Sequence, residues 1–284
     1  MAKIISVHSY RGGTGKSNLT GNIAASIATH GKRVAIVDTD IQSPGIHVLF
    51  GMDEESISYT LNDYLWSHCA IRDVVCDVST HLRTSALGQH FSQSPTKSST
   101  VTESTARTLT IPVKDADQRG NLYLIPASVR TQDITRIVRE GYDPDVLNEG
   151  FHTLIEELSL DYLFIDTHPG INADTLLSIA ISHILVLIMR PDYQDYQGTA
   201  VTVDLAQQLE VPQMFLVVNK ALPIFNLEDL RQQVEDAYNV SVIGVLPLSE
   251  EVAHLASSDI FSQRYPEHPW SDEVNTIARR LMLC

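Results

Sequence analysis

Short apolar runs alternate with helix-like stretches along most of the chain. The runs "KIISVHS", "RVAIVDTD" and "DYLFIDT" are apolar at consecutive positions and not only at every second one. Strands that are hydrophobic on both faces are typical of a parallel sheet covered by helices on each side. Between the first two runs, Leu19, Ile23 and Ile27 recur every four residues, and Gly31 marks the end of the predicted helix.

The same alternation continues through the rest of the chain. Further strands are predicted over 121–127, 183–190, 213–220 and 241–248. Further helices are predicted over 145–158, 197–210, 226–238 and 249–257. The pattern predicts an α/β fold over residues 1–284, with one doubly wound, mostly parallel sheet flanked by helices. In such folds ligands bind at the carboxyl ends of the strands.

One segment does not follow this rhythm. Residues 83–112 are rich in Ser and Thr and nearly lack large apolar side chains. We interpret 83–118 as a mobile insertion at the surface. A passive insertion is favoured, and a partner-binding segment is the alternative.

Charge and cysteine content limit the partners and the compartment. The 284 residues carry a formal net charge of −15, so binding to nucleic acid or anionic lipid requires a local basic patch. Cys69, Cys76 and Cys284 show no C-x-x-C spacing, and no signal-peptide pattern opens the chain. The longest apolar run, 176–189, is shorter than the roughly 20 residues of a spanning helix. We expect a cytoplasmic protein with reduced thiols.

The segment "YRGGTGKSN", residues 10–18, has the composition of a phosphate-binding loop, and we call it the phosphate loop. It lies between a predicted strand and a predicted helix, where free N–H groups and the helix dipole favour an anion. Lys16 would bind the β- and γ-phosphates, and the Ser17 hydroxyl would bind Mg²⁺. The pattern predicts a nucleotide site formed by Gly12, Gly13, Thr14, Gly15, Lys16, Ser17 and Asn18.

Three acids follow predicted strands. Asp38 and Asp40 come at the end of "RVAIVDTD", and Asp166 ends "DYLFID". An aspartate at this position can orient water or hydrated Mg²⁺, and Asp166 has the usual position of a carboxylate that holds Mg²⁺. Capping of a turn is the alternative role, and it is favoured for Asp40 taken alone.

The motifs "RGGTGKS", "VDTDIQSPG", "FIDTHPG", "VVNK" and "GVLPLSEEV" have the order and spacing seen in ParA/MinD-type ATPases. The phosphate loop resembles the deviant Walker A loop of that family, K-G-G-x-G-K-[ST]. The resemblance covers nearly the whole chain outside the insertion. It implies an ATP- and Mg²⁺-dependent homodimer whose hydrolysis is stimulated by an adaptor protein, and which binds non-specific DNA or a membrane, with nucleoid association as one outcome.

The resemblance also implies roles for individual residues. Asp38 would orient the attacking water and contribute to the metal site, with Asp40 as the second acid of that loop. Asp166 would be the Walker B group. Asn219 would read the adenine edge, with the Pro247–Leu248 segment beside the base.

The sequence departs from the family pattern at two positions. Arg11 replaces the signature lysine that reaches across the dimer to the partner's phosphates. We expect Arg11 to take that catalytic role, alone or together with another cation, because it keeps the charge. His168 replaces a proline of D-T-P-P-G and is interpreted as a surface substitution without function. A subgroup of the family that lacks the signature lysine includes the carboxysome-positioning ATPases, and this chain resembles them.

Two surfaces have alternative interpretations. The C-terminal segment places Val274, Ile277, Ala278 and Leu281 on one helix face, which favours a packed helix over a membrane anchor. Arginines 130, 136 and 139 alternate with acids, which favours a mixed-charge surface over a DNA-binding patch.

The expected function is an ATPase switch that positions or partitions cargo inside the cell. One alternative is an iron–sulfur cluster or metal carrier, which needs paired cysteines; Cys69 and Cys76 are its weak candidates. A metabolic ATP-dependent ligase is a second alternative, without a motif for a second substrate.

Overall fold

The computed structural model describes residues 2–82 and 120–284. The insertion predicted over 83–118 lies outside the described residues. The described part contains eight strands: β1 (Lys3–His8), β2 (Arg33–Asp38), β3 (Cys76–Asp77), β4 (Asn121–Ile125), β5 (Tyr162–Asp166), β6 (Ile184–Met189), β7 (Gln213–Ala221) and β8 (Val242–Pro247).

The α-helices among the described residues are α1 (Lys16–Thr29), α2 (Leu61–Leu65), α3 (Thr131–Glu140), α4 (Pro144–Glu157), α5 (Ala173–Ala180), α6 (Tyr193–Gln208), α7 (Leu227–Tyr238), α8 (Glu250–Leu255), α9 (Phe261–Arg264) and α10 (Pro269–Leu283). Every strand and helix that we predicted is confirmed, with ends shifted by a few residues. The short elements β3, α2 and α9 are not evident in the sequence, and neither is α5.

The strands form one sheet in the order β3-β4-β2-β5-β1-β6-β7-β8. All neighbours pair in parallel except β3, which pairs antiparallel with β4. The predicted doubly wound, mostly parallel sheet is therefore confirmed. Because β1, β2 and β5 are adjacent and parallel, their carboxyl ends meet at one edge, where Asp38 lies in register with Asp166.

Both faces of the sheet are buried, as the consecutive apolar residues predict. Within β2, Val34 and Ile36 belong to the core on one face, whereas Ala35 and Val37 belong to the core on the other. The second core also contains residues of α2 and α4, and a third core lies under α6 and α7. The strands therefore have no solvated face along their central positions.

Helix α10 packs against α1 and β8. The four apolar residues predicted to share one face are fully buried: Val274, Ile277, Ala278 and Leu281. The prediction of a packed terminal helix is confirmed. In the part of the chain that the structure describes, no helix has the length and hydrophobicity needed to cross a bilayer.

Candidate nucleotide-binding site

Glycines shape the phosphate loop between β1 and α1. Gly13 and Gly15 have φ angles of +77° and +92°, a region in which other residues are strained. The Gly15 carbonyl accepts a hydrogen bond from the N–H of Leu19 at 2.9 Å as α1 begins. The N–H groups of the first helical turn have no partner within the helix and can bind an anion.

Lys16 lies beneath the loop and is bonded to Asp166. Its Nζ is 2.9 Å from Asp166 Oδ1, and the two side chains are 6% and 1% exposed. Thr20 Oγ1 donates to the same oxygen at 3.0 Å. Thr20 was missed in the sequence, although it follows Lys16 by one helical turn and so shares its face. Asp166 Oδ2 is buried and has no hydrogen-bond partner among the described residues.

Asp38 is completely buried beside Asp166. Its two carboxylate oxygens accept from the N–H groups of Asp40, at 3.1 Å, and Gly45, at 3.3 Å. Asp38 thus closes the turn after β2, the role that was favoured for Asp40. Burial, and after it the neighbouring Asp166, raise the pKa of Asp38 to about 8.

These oxygen atoms suit Mg²⁺. Carboxylates of Asp38 and Asp166 and the hydroxyl of Ser17 are hard oxygen ligands, and Asp166 Oδ2 is free to bind a metal or its water. Within residues 2–82 and 120–284, no group of three or more His, Cys, Asp or Glu side chains could hold a metal ion. A magnesium ion here would therefore take its other ligands from phosphate and water, as Mg²⁺ commonly does.

The side chain of Asp40 bonds to His168 across two loops. His168 Nδ1 lies 2.6 Å from Asp40 Oδ1, and the side chains are 27% and 11% exposed. His168 is thus not a free surface side chain, because it faces an acid of the predicted site; whether the substitution lacks a function stays a prediction. The available signal was its position two residues after Asp166.

Arg11 lies at the rim of the phosphate loop. Its Nη1 is 3.5 Å from Asp192 Oδ1 and 3.5 Å from Asp195 Oδ1, and the side chain is 36% exposed. The preceding Tyr10 packs on α6, where a Cβ at Gly198 would lie only 1.9 Å from the ring. The start of the loop is thus attached to the start of α6. The predicted contact of Arg11 with a second subunit stays a prediction.

A cavity of about 250 Å³ opens beside the loop on the β7 and β8 side. It is lined by Gly15 and Asn18 of the phosphate loop and by the predicted base-binding residues Asn219, Pro247 and Leu248. Asn219 Nδ2 donates to the Thr14 carbonyl at 2.8 Å, and its Oδ1 accepts from the Lys220 N–H. The side-chain amide of Asn219 keeps a second hydrogen and a second lone pair that could bind the adenine edge. Recognition of adenine by Asn219 stays a prediction.

Lys220 is a further residue that we missed. It directly follows Asn219, and its Nζ donates to the Gly13 carbonyl at 2.8 Å. Burial, and then nearby Arg190, lower its pKa. Lys220 adds positive charge beside the phosphate loop. It is our candidate for the other cation that is expected to act together with Arg11.

His8 ends β1 directly below the loop. Its Nδ1 is 2.7 Å from Thr167 Oγ1, which itself donates to the Val7 carbonyl. Since that hydroxyl hydrogen is used, Nδ1 carries the hydrogen and Nε2 is a bare acceptor. Burial, and then Lys16 and His168, lower the pKa of His8 to about 3. His8 is therefore neutral at physiological pH.

Two of the three arginines of the alternative DNA-binding patch are paired with acids. Arg130 lies 3.1 Å from Glu54 and Arg136 lies 2.9 Å from Glu140. Arg136 also lies over the Trp66 ring. The mixed-charge interpretation is confirmed for these two arginines.

Known proteins share this fold and, in part, this sequence. Septum site-determining protein MinD of Synechocystis sp. is 25% identical over 260 residues, which cover 89% of this chain and 78% of that protein. The structure of MinD from Pyrococcus horikoshii complexed with Mg-ADP has a TM-score of 0.71 and 18% identity, covering 99% of this chain and 96% of that one. A McdA variant of Cyanothece in an ATP complex has a TM-score of 0.68 and 13% identity, covering 99% and 96%.

The two structural likenesses establish the fold. The family is shown by the sequence, since residues 5–261 fit the family described as the CobQ/CobB/MinD/ParA nucleotide binding domain. This range includes the phosphate loop, the buried acids and all the residues that line the cavity except Trp270. The chain therefore belongs to the CobQ/CobB/MinD/ParA family of nucleotide-binding domains.

Proposed function

We propose that this protein is an ATP-hydrolysing switch that dimerises with ATP and positions or partitions cargo on a nucleoid or membrane surface. The cargo would be a plasmid, a chromosome or a protein organelle such as a carboxysome, and an adaptor protein would stimulate hydrolysis. The single observation that supports this most is the buried Lys16–Asp166 pair under a glycine-rich loop, with one oxygen of Asp166 left unpartnered among the described residues.

The residues of this chain divide the work of the site. Bound Mg-ATP supplies the reactive γ-phosphoryl group and the cation that neutralises its oxygens. Backbone N–H groups of the phosphate loop bind the phosphates, and Lys16 has three donors, so it can reach a phosphate while keeping Asp166. Ser17 and Asp166 hold the metal, and Asp38 orients the attacking water. Arg11 completes the site of the second subunit.

Replacement of Asp38 tests the switch. We expect Asp38→Ala to bind ATP, to hydrolyse it at least about 100-fold more slowly, and to accumulate as an ATP-bound dimer, because the water loses its orienting group. Size-exclusion chromatography with light scattering and a single-turnover assay measure both effects. Asp236→Ala, at an exposed position of α7, is the matched control and should behave as wild type.

A monomeric Asp38→Ala protein in saturating Mg-ATP would show that the dimer mechanism is wrong. The trapped dimer also allows the surface to be identified, by co-sedimentation with DNA and separately with anionic liposomes. ATP-dependent pelleting that weakens steeply with salt is expected for DNA. If neither surface pellets the dimer, the positioning part of the proposal is contradicted.

A further inference from the structure

Two loops that border the predicted phosphate site are joined by the side chains of Asp40 and His168. Asp40 belongs to the loop after β2, and His168 belongs to the loop after β5. The 2.6 Å contact between His168 Nδ1 and Asp40 Oδ1 links residues that are 128 positions apart. An ionised carboxylate can only accept, so Nδ1 is the donor.

The backbone on both sides of this contact is held in place. The Asp40 N–H donates to Asp38 Oδ1 at 3.1 Å, and its carbonyl accepts from the Ser43 N–H at 3.0 Å. On the other loop, the Gly170 N–H donates to the Ser9 carbonyl at 3.1 Å. With its main chain fixed, Asp40 has only its side-chain torsions left, and the bond to His168 restricts these.

The contact is also shielded enough to be effective. Both side chains are largely withdrawn from solvent, and a charge-assisted hydrogen bond is stronger when water competes less. The proline that stands in place of His168 in the resembling family pattern has no side-chain donor. This chain therefore has a constraint on Asp40 that the family motif does not supply.

We propose that His168 is a positioning residue for ATP hydrolysis: it holds the carboxylate of Asp40, the second acid of the loop that contains Asp38, in one orientation and couples the two loops. This inference rests on the proposed ATPase function. His168 acts through Asp40, so its loss should slow the chemical step and leave nucleotide binding by the phosphate loop intact. The hydrogen bond also couples the two loops, so that a displacement of the loop after β5 moves the loop after β2.

Three substitutions at one position test this role in the full-length protein. His168→Ala removes the donor, and we expect the turnover number for Mg-ATP to fall about tenfold or more, with KM changed by less than about twofold. His168→Asn places an amide N–H at the position of Nδ1 and should restore most of the activity. His168→Pro recreates the family pattern and should behave like His168→Ala. His152→Ala, on the exposed face of α4, is the control and should match wild type.

A double-mutant cycle separates positioning from general damage. If His168 acts through Asp40, the double variant His168→Ala/Asp40→Ala should be no slower than Asp40→Ala alone. Amide hydrogen exchange of residues 39–45, measured without nucleotide, provides a readout independent of turnover. The exchange rate should rise in His168→Ala and return to the wild-type rate in His168→Asn.

The possible failures are distinguishable. If the wild-type protein hydrolyses ATP and His168→Ala has the same turnover number, the positioning role is overturned and the proposed function remains. Additive effects of the two single substitutions, or no recovery in His168→Asn, also overturn it. A wild-type protein that binds but never hydrolyses ATP overturns the proposed function, and the positioning role with it.

Discussion

Lys16 and Arg11 are two cations of one phosphate loop that the chain holds in opposite ways. Lys16 belongs to a buried cluster, which we define as Lys16, Thr20, Asp38 and Asp166 with His8 beside them. Arg11 belongs to a rim cluster, defined as Arg11, Arg190, Asp192 and Asp195. Lys16 is 6% exposed and lies 2.9 Å from its acid, whereas Arg11 is 36% exposed and lies 3.5 Å from each of its acids.

The difference follows from solvent. Charges inside the sheet edge are little screened, so removal of one partner leaves an uncompensated charge at a high cost. At the rim, Arg190 already lies 3.0 Å from Asp192 and 3.2 Å from Asp195. Arg11 can therefore leave both acids without depriving them of a cation. The buried cluster is suited to constant binding, and the rim to a cation that changes partners.

The largest effect is expected from Lys16→Ala. This change should abolish ATP binding and lower the free energy of unfolding by about 3–5 kcal/mol, because the buried carboxylate of Asp166 then loses its cation. Calorimetric titration with nucleotide and denaturant unfolding measure the two effects. Lys32→Ala, whose exposed ammonium is 3.8 Å from Asp161, is the control and should cost less than about 1 kcal/mol. Wild-type nucleotide affinity in Lys16→Ala would contradict the role of the buried cluster.

A smaller effect is expected from His8 in acid. The folded pKa is about 3 against 6.5 for a free histidine, so between these values the unfolded chain binds the extra proton and stability falls as pH falls. His8→Asn keeps a donor to Thr167 but does not titrate. From pH 7 to pH 5, wild type should lose about 2 kcal/mol more than the variant.

The comparison of the two proteins is essential to this measurement. The raised pKa of Asp38 gives a slope of opposite sign in the same range, and this slope is common to both proteins. Urea unfolding at each pH provides the free energies. Parallel curves for wild type and His8→Asn would show that His8 is not held neutral in the folded state.

The smallest effect on stability is expected from Arg11→Ala, at the rim. The free energy of unfolding should change by less than about 1 kcal/mol, because the pair is partly exposed and Arg190 remains. Nucleotide should still bind each monomer, while ATP turnover should be lost if Arg11 acts across a dimer. Arg11→Lys, which restores the family's signature residue, should retain turnover. Unchanged turnover in Arg11→Ala would assign the role to another cation, with Lys220 as the next variant to examine.

Most of the elements that were missed are short, although α5, with eight residues, is an exception. Strands such as β1, β2 and β5 were evident because consecutive apolar residues are stable only where both faces are covered. Strand β3 has two residues and α2 has five, so neither spans two full periods of its pattern. Such short elements are stabilised by tertiary contacts with neighbouring elements, and the local sequence pattern does not encode those contacts.

The residues of the site also fall into a predictable group and an unpredictable group. The phosphate loop was predictable because its glycines, Lys16 and Ser17 are contiguous, and the chemistry of phosphate binding requires them in that order. Asp38 and Asp166 were predictable as strand-end acids. The partners of Arg11 and Asp40 were not predictable, because they lie 181 and 128 residues away. No residue near His168 in the sequence indicates that its partner is Asp40.

The sequence by itself determined the α/β fold, the glycine-rich loop and the identity of its cation, since each depends on neighbours within a few positions. Only the tertiary structure decided which acid each cation meets. That choice depends on the strand order, which places β5 between β1 and β2 and brings α6 against the start of the phosphate loop. Electrostatic energy depends on distance and burial, and both are properties of the packed sheet and not of the chain.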